Sequence, residues 1–251
     1  MHSLFHSHEP DPPPAVEPVP TVFPTIQGAQ IAAKFVGTRA AGDFYDSIRV
    51  GPERVLIGLL NVAARREENR LILATAQRIF RQSGAELFSK PDLNESDALT
   101  ELTLLINRAL IDGSTSVRSC PAFIACYHEQ FGTLCYANAG HTPALLRDHT
   151  GVIELTSTGL PLGLFSHATA DAPTVGMEKG SALVVVSRGV VDCPAARDED
   201  SFGLDRVKQL LQESTSSAQD LCTSILNAVN TFAGEAPLRD DRTTLALVRT
   251  A

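Results

Sequence analysis

Ala41-Gly42-Asp43-Phe44-Tyr45-Asp46, then Val55-Leu56-Ile57-Gly58-Leu59-Leu60, then Asn61-Val62-Ala63-Ala64-Arg65-Arg66, is the stretch whose reading decides the fold. The central apolar run has the length of a strand and is preceded by Gly51-Pro52-Glu53-Arg54, a turn-rich tetrapeptide that folds it back in a hairpin. That hairpin puts Asn61 beside Asp43 at one sheet edge.

Strands and helices flank this hairpin on both sides. Ala29 to Val36 reads as a strand. After Asn61, Ile72, Ala76, Ile79 and Phe80 form one face of a helix spanning Glu67 to Phe88. A second helix, about Ser96 to Ile111, carries Leu99, Leu102, Ile106, Ala109 and Leu110 on its core face, with Asn94 or Ser96 as cap. Strand-like runs at 122–128, 133–138, 144–147 and 152–155 follow with turn residues between them, and they read as one antiparallel meander. Ser181 to Val186 is apolar and β-branched enough to be buried on both faces. Two helical stripes, beginning at Leu204 and at Leu221, precede a last strand at 243–248. The order implies an α+β fold of two mostly antiparallel sheets packed together, with helix pairs outside.

Residues 1–24 carry His2, His6 and His8 and then seven prolines from Pro10 to Pro24. Such a segment is expected to be an extended tail outside the fold, leaving residues 25–251 as one domain. A net charge of -8 argues against nucleic acid as a partner. The sequence shows no membrane span and no signal-peptide core. Its five scattered cysteines suit a reducing compartment, so the expectation is a soluble cytoplasmic protein.

Gly42-Asp43-Phe44-Tyr45-Asp46, the apolar strand and the short motif after it resemble the bacterial stage II sporulation E-type branch of the PPM (metal-dependent) protein serine/threonine phosphatases. The resemblance continues through Asn138-Ala139-Gly140-His141-Thr142-Pro143-Ala144-Leu145-Leu146, Gly159-Leu160-Pro161-Leu162-Gly163, Phe202-Gly203 and Asp240-Asp241-Arg242-Thr243, in family order over about residues 25–250. It implies a four-layer α-β-β-α sandwich. Gly140, Gly159 and Gly163 also have a local reading as tight-turn residues with positive φ, and His141 one as a structural histidine bonding a loop backbone.

In active family members, aspartates from four motifs hold two Mn²⁺ or Mg²⁺ ions whose bridging water attacks phosphoserine or phosphothreonine. The resemblance assigns Asp43 to the first position and Asp240 to the last, with Asp241 adjacent. The family's Asp-Val-Ser-Gly-His-Gly reads Asn61-Val62-Ala63-Ala64-Arg65-Arg66 here, and its Thr-Asp-Gly-Val reads Ser187-Arg188-Gly189-Val190. Asn61, Val62, Arg188 and Gly189 therefore stand at degenerate site positions, and the four metal positions carry a net charge of −1 instead of −4. A divalent ion ~4 Å from a guanidinium at an effective dielectric near 20 is opposed by roughly 8 kcal/mol. The expectation is that Mn or Mg is absent or weakly bound, and that Arg188 takes the metal's place by bonding Asp43 and Asp240.

Three functions follow from the resemblance. The first is a pseudophosphatase serving as a binding module in phosphoprotein signalling, with a phosphorylated antagonist or another component of an anti-sigma switch as partner, and with a homodimer through its helices left open. The second is a weak phosphatase using one metal held by Asp43, Asp46, Asp240 and Asp241, or with Asp192 filling in. The third is a phosphoprotein reader in which Arg65, Arg66 and Arg188 contact phosphate.

Overall fold

The computed structural model describes residues 18–37, 42–62, 69–90, 93–113, 119–195, 200–214 and 217–251. Strands β1 (Ala29–Val36), β2 (Asp43–Arg49) and β3 (Arg54–Asn61) come first, followed by helices α1 (Asn69–Phe88) and α2 (Glu95–Gly113). Strands β4 (Ala122–His128), β5 (Thr133–Ala139), β6 (Ala144–Asp148), β7 (Gly151–Leu155), β8 (Thr174–Gly176) and β9 (Ala182–Val186) follow. The chain ends with α3 (Arg188–Val191), α4 (Gly203–Glu213), α5 (Ala218–Ala233) and β10 (Arg242–Arg249).

Two five-stranded sheets form, in the orders β2-β3-β4-β5-β8 and β1-β10-β9-β6-β7, and every strand pairing is antiparallel. Successive side chains of a strand face opposite ways, so a strand buried on both sides must be apolar throughout. In β3, Leu56 and Leu60 pack under α1 and α2 beside Phe80, Leu99 and Leu102. The alternate residues Val55, Ile57 and Leu59 meet the other sheet through Leu183, Val185, Leu245 and Leu247. On the far side of that second sheet, Val184 and Val186 pack against Val207, Leu221 and Ile225 of α4 and α5. Three apolar layers between four structural layers give the α-β-β-α sandwich.

The hairpin through Gly51–Arg54 forms, closed by Val50 N–H donating to Arg54 O at 3.0 Å. Asn94 caps α2, its Oδ1 accepting from the Ser96 and Asp97 amides. The meander expected over 122–155 is instead split. Strands β4 and β5 belong to the first sheet and β6 and β7 to the second. The chain changes sheets at Gly140–Pro143, where Pro143 has no N–H with which to continue a ladder. Gly140 and Gly163 take positive φ as expected, but Gly159 does not. Its small size is needed for close approach, since a Cβ there would lie 2.5 Å from Thr169 O.

The described part of the N-terminal segment, Pro18–Pro24, does not stand clear of the domain. It lies against β2 and α1, tied by hydrogen bonds from Val19 and Thr21. His2, His6 and His8 lie outside the described residues, as do Ala63, Ala64, Arg65 and Arg66. No helix among the described residues is long and apolar enough to cross a membrane.

Candidate functional site

The β2–β3 register pairs Asp43 with Asn61. Immediately before Asp43, Gly42 accepts Val62 N–H at 2.9 Å and adopts φ +102°, and a Cβ there would lie 2.2 Å from Val62 O. Only glycine allows the two strand ends to approach this closely. The second sheet delivers its groups to the same end. Ser187 follows β9 and Thr243 is the second residue of β10, and they exchange two bonds: Ser187 N–H to Thr243 O and Thr243 N–H to Ser187 Oγ, each 2.9 Å.

Asp43 is almost fully buried at this junction. Asn61 Nδ2 donates to its Oδ1 at 2.5 Å and Thr243 Oγ1 to its Oδ2 at 2.7 Å, and the Ser187 hydroxyl is a third hydrogen-bond partner. All three partners are uncharged. Burial pushes the carboxyl up from 3.8 to about 6, against the opposing pull of these hydrogen bonds, and nearby Asp241 adds to the rise. Asp43 thus ties one sheet to the other through neutral donors.

Asp240 and Asp241 separate in space. Asp241 is buried, and Gly189 presses on its backbone so closely that a Cβ there would lie 2.1 Å from Asp241 O. Asp240 is exposed and acts electrostatically on Arg188.

Arg188 corrects the expectation from sequence. Its guanidinium does not bridge Asp43 and Asp240; Nε bonds Asp192 Oδ2 at 2.5 Å, and the side chain is 77% exposed. The two residues are one helical turn apart, the spacing at which such pairs meet. Solvent and Asp192 screen the charge, so the roughly 8 kcal/mol opposition to a divalent ion does not apply at this exposed site. What the position lacks is a carboxylate. Asp192, considered above as a substitute ligand, is engaged by that arginine. Arg65 and Arg66 fall outside the described residues.

Asp46, the other acidic residue of the opening motif, is 1% exposed, and its bonding is complete within the fold. Arg81 reaches both oxygens, through Nε at 2.6 Å and Nη2 at 3.0 Å, and Gln77 Nε2, Thr21 Oγ1 and Ser47 N–H complete the set. Among the described residues, no three His, Cys, Asp or Glu side chains converge as a metal-holding group. His141 is buried, its ring Nδ1 3.0 Å from Thr142 O and its own N–H donating to Asn138 Oδ1 at 2.8 Å. Burial lowers its pKa to about 4. It is the loop-bonding histidine expected from sequence.

Sequence reasoning missed Ser187 and Thr243 as partners of Asp43. Both lie within the motifs quoted above, and the signal that could have found them is a hydroxyl residue at the end of each of two strands that must meet. Beside Asp43 is a cleft of about 290 Å³ lined by Pro18, Val19, Thr21, Phe35, Tyr45 and Arg70, among others.

The match that decides the family covers most of this fold: a family model for stage II sporulation protein E fits residues 71–250. The chain belongs to the stage II sporulation protein E family. A search among curated proteins finds no match. Among solved structures, the RsbU and RsbW domains of Rv1364c from Mycobacterium tuberculosis superpose with a TM-score of 0.73 at 21% identity, covering 91% of this chain and 62% of that one. The SiaA-PP2C domain of Pseudomonas aeruginosa gives 0.71 at 19% identity, covering 89% and 86%. The phosphatase domain and regulatory fragment of SpoIIE from Bacillus subtilis give 0.69 at 13%, covering 88% and 63%. At these identities the likeness is one of fold. The chain spans less than two thirds of the mycobacterial chain it matches.

Proposed function

We propose that this member of the family is a pseudophosphatase: a binding module of bacterial phosphoprotein signalling that keeps the PPM fold without its two-metal site. The observation that carries this reading is the Asn61 amide donating to Asp43. In the family's arrangement a cation would face two carboxylates at these positions; here an N–H points at Asp43, and Ser187 and Thr243 hold the rest of that carboxylate. With Arg188 turned out to solvent, two of the four carboxylate positions supply none. This donor set does not fit two Mn²⁺ or Mg²⁺ ions, which require several hard oxygen ligands each. A protein of the kind the family acts on, such as a phosphorylated antagonist in an anti-sigma switch, is the partner class this reading assigns.

The test is calorimetric titration of the metal-stripped chain with Mn²⁺ at neutral pH, beside the Asn61→Asp/Arg188→Asp double variant. The expected result is no heat of binding for the unaltered chain and saturable binding by the variant. Tight Mn²⁺ binding by the unaltered chain, with turnover of a phosphoserine peptide, would overturn the reading and favour a weak metal-dependent phosphatase.

A further inference from the structure

Pro18 to Thr25 runs along β2, the edge strand of its sheet, yet does not join the ladder. Pro18, Pro20 and Pro24 lack the N–H groups that a ladder requires. The segment is held at four points instead. The Gln77 side-chain amide reads both backbone groups of Val19, accepting its N–H at 2.7 Å and donating to its carbonyl at 2.8 Å. The Thr21 hydroxyl meets Tyr45 O at 2.7 Å and Asp46 Oδ1 at 3.1 Å. Phe23 stacks flat on Tyr45, with centroids 6.0 Å apart and planes within 1°. Arg49 bonds Thr25 O.

Burial is lopsided across this contact. Gln77 and Asp46, on the body of the domain, are 3% and 1% exposed, whereas no residue from Pro18 to Thr25 is buried and Val22 is 80% exposed. The receiving surface also stands without the segment, because Asp46 keeps Arg81, Gln77 and the Ser47 amide as partners. A segment that must be ordered residue by residue but is returned only a few polar bonds and one ring contact sits close to the balance between bound and released. The recognition is also patterned. Position 19 is read through its backbone alone, position 21 through a hydroxyl and position 23 through an aromatic ring.

We propose that the β2 edge with Gln77, Asp46 and Tyr45 is a peptide-docking groove, that residues 18–25 are its built-in occupant, and that a partner segment with the same hydroxyl and aromatic spacing displaces them. Pro18, Val19, Pro20 and Thr21 form one wall of the cleft beside Asp43, so displacement opens that cleft.

Two measurements on the full chain test it. In amide hydrogen exchange, Val19 should show measurable protection, yet exchange at least about 100-fold faster than the β3 amides, as local opening requires. Gln77→Ala should abolish that protection while β3 stays protected, which separates release from unfolding. The chain contains no tryptophan, so Phe23→Trp supplies a single reporter of the segment. Because a tethered occupant acts at millimolar effective concentration, the reporter is combined with Thr21→Val to weaken it. A synthetic peptide of residues 18–26 should then shift Trp emission to longer wavelength and saturate below about 1 mM. The same peptide with valine in place of Thr21 should not. Val19 exchanging as slowly as β3, Val19 without protection, or emission indifferent to the peptide would each overturn the proposal.

Discussion

Replacing Asp43 with asparagine isolates the one group on which both sheets converge. The carboxyl is raised from 3.8 to about 6 by burial. A shift of about two units corresponds to about 3 kcal/mol between its two protonation states. The native state holds the proton more tightly than the unfolded chain does, so this contribution is full below pH 3.8 and is lost as pH rises through about 6. His141 works in the opposite sense. Lowered from 6.5 to about 4 by burial, it contributes about 3 kcal/mol that is full above pH 6.5 and is lost as pH falls through about 4. The two nearly cancel between pH 4 and 6.5, so the unaltered chain hides both slopes. The difference between Asp43→Asn and the unaltered chain exposes one of them. In urea denaturation at pH 4, where the unfolded carboxyl is already partly ionised, and at pH 7.5, that difference should move by about 2.5 kcal/mol in favour of the variant at the higher pH. Any fixed cost of turning an amide toward Thr243 and Ser187 is common to both pH values and drops out. A difference that stays constant within about 0.5 kcal/mol would refute the claim that Asp43 is buried among uncharged donors.

Arg81→Ala leaves the Asp46 carboxylate buried without its bidentate partner and should cost about 3 kcal/mol of unfolding free energy in urea denaturation, with Arg81→Lys intermediate because an ammonium cannot bond both oxygens in plane. Gly42→Ala places a methyl group against Val62 O at φ +102°, so a loss of about 2–3 kcal/mol is expected in the same assay.

How much of this was legible in the sequence depends on whether the deciding contact was local. The hairpin, and with it the meeting of Asp43 and Asn61, follows from a turn tetrapeptide and a bounded apolar run. The helix stripes follow from their period. Strand β8 carried no such signal: three residues after Pro173 are a strand only because Cys135 and Leu134 lie opposite. The switch of sheets after β5 was hidden for a related reason, since strands of one meander and strands of two stacked sheets share the same alternation. Arg188 shows a different limit. The motif gives its place in the chain, but a long side chain at a surface turns toward a nearby carboxylate, and Asp192 four residues on receives it. The docking of Val19 on Gln77 joins residues 58 positions apart, and composition speaks only to what the proline-rich segment cannot do, not to where it lies.

The retention of Asp43 has a physical account that needs no cation. A buried carboxylate persists where donors satisfy it, and Asn61, Ser187 and Thr243 supply three. A second carboxylate at position 61, within 2.5 Å contact of the first, would force the pair to share a proton or a metal. On the pseudophosphatase reading proposed above, asparagine is the residue that lets this junction close without an ion. With Asp43 so held by uncharged partners, the arginine at position 188 turns to solvent and Asp192 without breaking a bond to Asp43. The same reading sets the smallest change able to supply the four carboxylates that the family resemblance implies. Arg188→Asp alone adds a charge on the exposed face while Asn61 still bonds Asp43, and Asn61→Asp alone leaves the two carboxylates to share a proton. Only the pair supplies both the ligands and the reason to bind.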